Sequence, residues 1–116
     1  MRNMSFALTT DQLLRREKTV TRRLGWLYLR TGDWVQAVKK CMGLKPGEKL
    51  ERLCVIKVTD TRREPLRAMT QDDCVREGFP QMTVAEFVEF FCKTHKGCTP
   101  DTIVTRIEFD YPQSSH

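Results

Sequence analysis

Apolar residues recur along the chain with two different periods. From Thr102 to Tyr111, the residues Ile103, Thr105, Ile107, Phe109 and Tyr111 alternate with Val104, Arg106, Glu108 and Asp110. A period of two predicts a half-buried strand. From Arg52 to Thr61 the sequence RLCVIKVTDT holds Leu53, Cys54, Val55, Ile56 and Val58, enough apolar side chains to supply both faces of a strand. Val84, Phe87, Val88 and Phe91 fall instead at i, i+3, i+4 and i+7, the stripe of an amphipathic helix. Thr83 and Glu86 open that helix as a capping box, and Lys96-Gly97 marks its end.

Weaker signals fill the gaps. Ser5 to Leu8 is β-compatible, and Thr9-Thr10-Asp11 offers N-caps for a short helix from Asp11 to about Arg16. Lys18 to Arg23 carries β-branched residues that favour extended backbone. Arg30-Thr31-Gly32-Asp33 predicts a turn, Trp34 to Cys41 a strand, and Met42 to Lys49, with Gly43, Pro46 and Gly47, a loop. Thr70 caps a helix reaching about Glu77, which Gly78-Phe79-Pro80 stops. Residues 112–116 read as a frayed polar tail. Strands with inserted helices predict an α+β barrel in one domain, residues 1–116. Periodicity does not separate a closed barrel from an open sheet.

Composition narrows the class. The chain has 116 residues, 40% hydrophobic and 30% charged, as in a soluble globular domain. No apolar run is long enough to span a bilayer, and Met1-Arg2-Asn3-Met4-Ser5 lacks the apolar core of a secretory signal, so a cytoplasmic location is the default. Cys41, Cys54, Cys74, Cys92 and Cys98 are odd in number and include no Cys-x-x-Cys pair, which argues against a disulfide framework or a structural zinc. A catalytic cysteine would have only His95 and His116 to draw on. His95 is expected at a helix C-terminus, favoured by the dipole. The net charge of +5 attracts phosphates and anions without proving nucleic-acid binding.

The candidate chemistry is concentrated in Arg15 to Arg23, RREKTVTRR, with five cations and one acid. This pattern suits either a pocket wall that meets a phosphate or base edge, or a solvated basic face. Arg22, Arg23 and Trp26 are the candidate substrate-binding residues, with Trp26 able to stack on a base. Trp34 is expected in the core, and Lys39-Lys40 and Arg62-Arg63 in solvent.

Lys18-Thr19-Val20-Thr21-Arg22-Arg23, followed by Gly32-Asp33, resembles the signature of the ASCH family. There a Gly-x-Lys-x-x-(Glu or Thr)-x-Arg element precedes a Gly-Asp that opens a barrel strand. The resemblance spans most of the chain, including the Arg52 to Thr61 strand and Ile107-Glu108-Phe109, but Arg16 stands where the family has its glycine. It implies a PUA-like β-barrel with short flanking helices and a cleft for RNA or a nucleoside, without a cofactor, a membrane or an obligatory protein partner. A bacterial branch of small members hydrolyses the amide of N4-acetylcytidine and related N4-acylcytosines. By that resemblance the catalytic residues are Lys18, Thr21 and Glu77, with Glu86 as the rival to Glu77. Thr21 could be the nucleophile and a neutral Lys18 its base; alternatively Glu77 activates water while Lys18 binds the carbonyl. Either scheme needs a bend in the chain, because residues three apart on a regular strand face opposite ways. A non-catalytic RNA-binding module, a ribonuclease and a purely structural role remain alternatives.

Overall fold

The computed structural model describes residues 1–112; the predicted tail lies, from residue 113 onward, outside the described residues. The elements run β1 (Arg2–Ser5), α1 (Thr10–Leu14), β2 (Val20–Arg23), β3 (Trp34–Val38), β4 (Arg52–Pro65), a single 3-10 turn (Leu66–Ala68), α2 (Gln71–Arg76), α3 (Val84–Thr94) and β5 (Ile103–Asp110). The strands form one mixed sheet in the order β1-β3-β4-β5-β2, curled into a half-barrel with the short helices around it. The expected α+β architecture is therefore present.

Strand β4 produces the curl. Its first half pairs antiparallel with β3, and from Lys57 onward it pairs with β5, with a register irregularity between Val58 and Asp60. A bulge of this kind bends and twists the strand, so one continuous segment can serve two partners lying at an angle. This also explains why β4 continues to Pro65 instead of stopping at Thr61: β5 partners it to the last residue. Pairing likewise overrides propensity in the first strand, which spans Arg2–Ser5 rather than Ser5 to Leu8. Arg2 to Ser5 lie parallel to Val35 to Val38 of β3, and a turn follows at Phe6.

Two expectations about burial are corrected. Strand β5 is covered on both faces, because Val104 and Arg106 are as buried as Thr105 and Ile107. Trp34 is 49% exposed, with the Lys57 ammonium 5.8 Å from its ring. Val35 and Ala37 take the inward positions of β3, and alternation turns Trp34 outward.

Two apolar clusters hold the domain together. One fills the curl of the sheet with Met4, Phe6, Leu13, Val35, Ile56, Val58, Ile107 and Phe109. The other packs α2 and α3 against the far end of the sheet through Leu66, Met69, Cys74, Phe87, Phe91 and Val104. The α3 capping box forms as predicted. All five cysteines are free thiols. Among the described residues, no helix is long and apolar enough to cross a membrane.

Candidate functional site

The site begins where α1 ends. Glu17 N–H donates to the Gln12 carbonyl and Arg16 N–H to that of Leu13, each at 3.0 Å. These are the two bonds of a Schellman motif, which requires a left-handed residue just past the helix. That residue is Arg16, with φ of 60°. The position at which the ASCH pattern places glycine is thus the one where the backbone favours it. The motif reverses the chain so that Lys18 enters the interior before β2 starts at Val20. Lys18 thus precedes β2 while Thr21 lies within it, and both line the cleft described below.

The interior at this point is crowded with charge. Lys18 and Glu77 are both about 97% buried. Lys18 Nζ donates to Glu77 Oε1 at 2.7 Å and to the Glu77 carbonyl at 2.8 Å. Glu77 Oε2 accepts from Arg22 Nη1 at 3.2 Å. Burial pushes the Lys18 pKa below its ordinary value, opposed by Glu77 and assisted by the charges of Arg23 and Arg22. Neighbouring chain segments pin Lys18 in place: the Tyr111 hydroxyl donates to its carbonyl, and Thr19 N–H donates to the Arg76 carbonyl at 2.8 Å. Glu77 caps the end of α2, and Gly78 follows it at φ of 99°. A Cβ on Gly78 would lie 2.8 Å from the Gln12 side chain, so glycine is what lets α1 approach Glu77 closely.

Alternation along β2 sorts the remaining candidates. Thr21 and Arg23 share a face, and Arg23 Nε donates to Thr21 Oγ1 at 3.1 Å. The Arg23 guanidinium lies over Phe6, 4.7 Å from the ring centroid, and burial lowers its pKa to about 10. Arg22 turns the other way and is wholly enclosed.

Lys18, Thr21, Arg22, Arg23 and Glu77 line a single cleft of about 250 Å³. Phe6 and Thr9 line it from the α1 side, and Phe79, Phe87, Phe90, Phe91 and His95 from the α3 side. His95 closes α3, as a helix-terminal histidine should, but its ring also stacks on Phe91 at 3.9 Å and contributes to the cleft wall. A charged floor thus faces an aromatic wall. Trp26 is not among the lining residues. It has φ of 55°, packs against the core of the sheet and lies beneath the Arg2 guanidinium at 4.1 Å. Glu86, the rival to Glu77, serves the α3 cap.

Sequence reasoning missed the aromatic wall. Phe90 lies outside the predicted helix stripe, and a third phenylalanine beside Phe87 and Phe91 was the available signal. The family's Gly-Asp also acquires a physical reason. Gly32 takes φ of 96° while its N–H reaches the Val58 carbonyl, and Asp33 Oδ2 accepts from Arg30 N–H, closing the turn that starts β3.

Fold and site together define a small ASCH-like α+β domain whose cleft has a cationic floor and an aromatic wall. The ASCH domain from Lactobacillus crispatus JV V101 has the same fold, with a TM-score of 0.68 and 17% identity, covering 95% of this chain and 78% of that one. A DUF984 protein from Enterococcus faecalis V583 matches at 0.64 and 15% identity, with the same coverage. No protein-family model matches the sequence, and no curated protein is similar to it. At these identities the likeness establishes the fold.

Proposed function

We propose that the cleft binds a nucleoside and hydrolyses the amide of N4-acylated cytidine, with Lys18, Thr21 and Glu77 as the reacting set. The observation that carries this reading is that a buried Lys18–Glu77 pair and Thr21 line one aromatic-walled cleft. A planar base suits the phenylalanine wall, and the volume suits one nucleoside-sized ligand.

Of the two schemes, the geometry favours Lys18 as the base. Glu77 Oε1 accepts from Lys18 and Oε2 from Arg22, which suits the carboxylate to orienting Lys18. A neutral amine has two N–H groups and one lone pair. The two acceptors on Glu77 match the two N–H groups, leaving the lone pair to take the Thr21 proton. Thr21 Oγ1 then bonds the acyl carbon, the C–N4 bond breaks, and the Lys18 proton passes to the departing N4 amine. Water subsequently releases the acyl group from Thr21. Arg23 Nε, already on Thr21 Oγ1, is placed to stabilise negative charge developing there.

The test is incubation with N4-acetylcytidine, following loss of the acylated chromophore. Wild-type turnover is expected, with a loss of at least about a hundredfold in Lys18→Ala. Wild-type turnover no higher than the variant's excludes hydrolysis.

RNA binding without catalysis is favoured by a separate observation: Arg15 and Arg16 are exposed at the mouth of the segment. It predicts salt-dependent RNA affinity that falls in Arg15→Ala/Arg16→Ala. Arg22 is unsuited to that test, since its side chain is buried with both terminal nitrogens on carboxylates.

A further inference from the structure

Arg22 is a candidate substrate contact by sequence, yet its side chain is 0% exposed and turned into the protein. Three carboxylates receive it. Nη1 donates to Glu77 Oε2 at 3.2 Å, and Nη2 donates to Glu64 Oε2 at 3.1 Å and to Asp73 Oδ2. Asp73 is also clamped by Arg106, whose Nε and Nη2 reach its two oxygens at 3.1 and 2.9 Å. Arg22 and Arg106 are register partners on β2 and β5, so two like charges sit directly opposite one another with Asp73 between them. The network reaches the surface at two points, through Arg62 on Glu64 and through Glu108 on Arg106, with Arg76 beyond.

Such an arrangement is costly to bury, and an apolar repacking would serve stability as well. What it supplies is a fixed cation behind Glu77. If Lys18 were the sole partner of Glu77, releasing its proton would leave an isolated buried carboxylate. With Arg22 on the second oxygen, Glu77 stays countered when Lys18 is neutral.

We propose that Arg22 is a positioning residue that sets the protonation of Lys18 through Glu77, and that Glu64 and Asp73 in turn set the effective charge of Arg22. The groups facing Lys18 are consistent in direction: Arg22 and Arg23 on β2 disfavour its proton, Glu77 at the end of α2 favours it, and burial outweighs Glu77. The kinetic consequence rests on the hydrolytic reading; the titration does not.

The test is the Lys18 titration, followed by the 13Cε chemical shift of the intact domain, in two variants with opposite expected signs. Arg22→Gln removes a nearby cation and should move the Lys18 midpoint to higher pH. Glu64→Gln removes a carboxylate from Arg22 and should move it to lower pH. General loss of structure would not produce shifts of opposite sign. In kinetics, Arg22→Gln should lose about tenfold in kcat/KM for N4-acetylcytidine at neutral pH and recover as pH rises, with Arg22→Lys intermediate. An unmoved Lys18 midpoint in folded Glu64→Gln, or in folded Arg22→Gln, overturns the proposal. Should Arg22→Gln fail to fold, Glu64→Gln alone decides it. If the titrations shift as expected and no N4-acetylcytidine is hydrolysed, the hydrolytic reading fails and the Arg22 assignment stands.

Discussion

The two parts of the RREKTVTRR segment both carry cations and have opposite physical fates. Arg15 and Glu17 pair at 2.9 Å with side chains 59% and 52% exposed, an ion pair of small net worth in water. A few residues on, Lys18 and Arg22 are enclosed and each meets a carboxylate from a distant part of the chain. Cations thus form a solvated face over residues 15–17 and a tightly coupled cluster from Lys18 onward. Charge content therefore says little about role; the local backbone reversal decides which cations are withdrawn from water.

That contrast can be broken most severely at Arg22. Arg22→Ala should destabilise the domain by about 3–5 kcal/mol, because it strands buried carboxylates, while Arg15→Ala should stay within about 0.5 kcal/mol. Urea unfolding of both variants gives the comparison directly, and similar midpoints would contradict it.

A smaller effect is expected from acid. Arg106 and Arg22 hold the Asp73 carboxyl down at about 2, against an ordinary 3.8. A depressed carboxyl pKa contributes stability that is complete above the unfolded value and is lost as pH falls through the folded one. Stability should therefore decline between about pH 4 and pH 2, by about 2 kcal/mol from this group. Arg106→Gln should weaken that pH dependence, measured as the thermal midpoint across the same range. No comparable acid sensitivity is expected to vanish in Arg15→Ala.

The smallest effect sharpens the boundary itself. Arg16→Gly should stabilise the domain by about 1 kcal/mol, since glycine relieves the left-handed strain at φ of 60°. A loss of stability in a thermal melt would show that the Arg16 side chain, whose guanidinium lies 5.2 Å from the Tyr111 ring centroid, contributes more than the strain removes.

Much of the fold was legible because its signals are local. The capping box at Thr83 and the turn at Gly32-Asp33 depend on neighbours a few residues away, and both form where expected. Strand ends were less legible, since β1 and β4 stop where their partners stop. Lys18 and Thr21 were singled out by the resemblance to the ASCH pattern, but Arg22 could not be distinguished from a solvated arginine. Its partners Glu64 and Asp73 lie 42 and 51 residues away, and no local rule connects them. The aromatic wall was hidden for the same reason: Phe6 and Phe90 come to line one cleft only once α3 has docked.

The long-range ties at Lys18 also bear on the order in which the molecule assembles. Among the described residues strand β2 pairs only with β5, Phe109 N–H donates to the Thr19 carbonyl, and Tyr111 reaches Lys18 itself. A chain emerging from the ribosome makes the lysine-bearing segment more than about 80 residues before these partners. Until β5 is made, Lys18, Thr21 and Arg22 have no sheet to sit in, so the cleft forms only after β5 has docked.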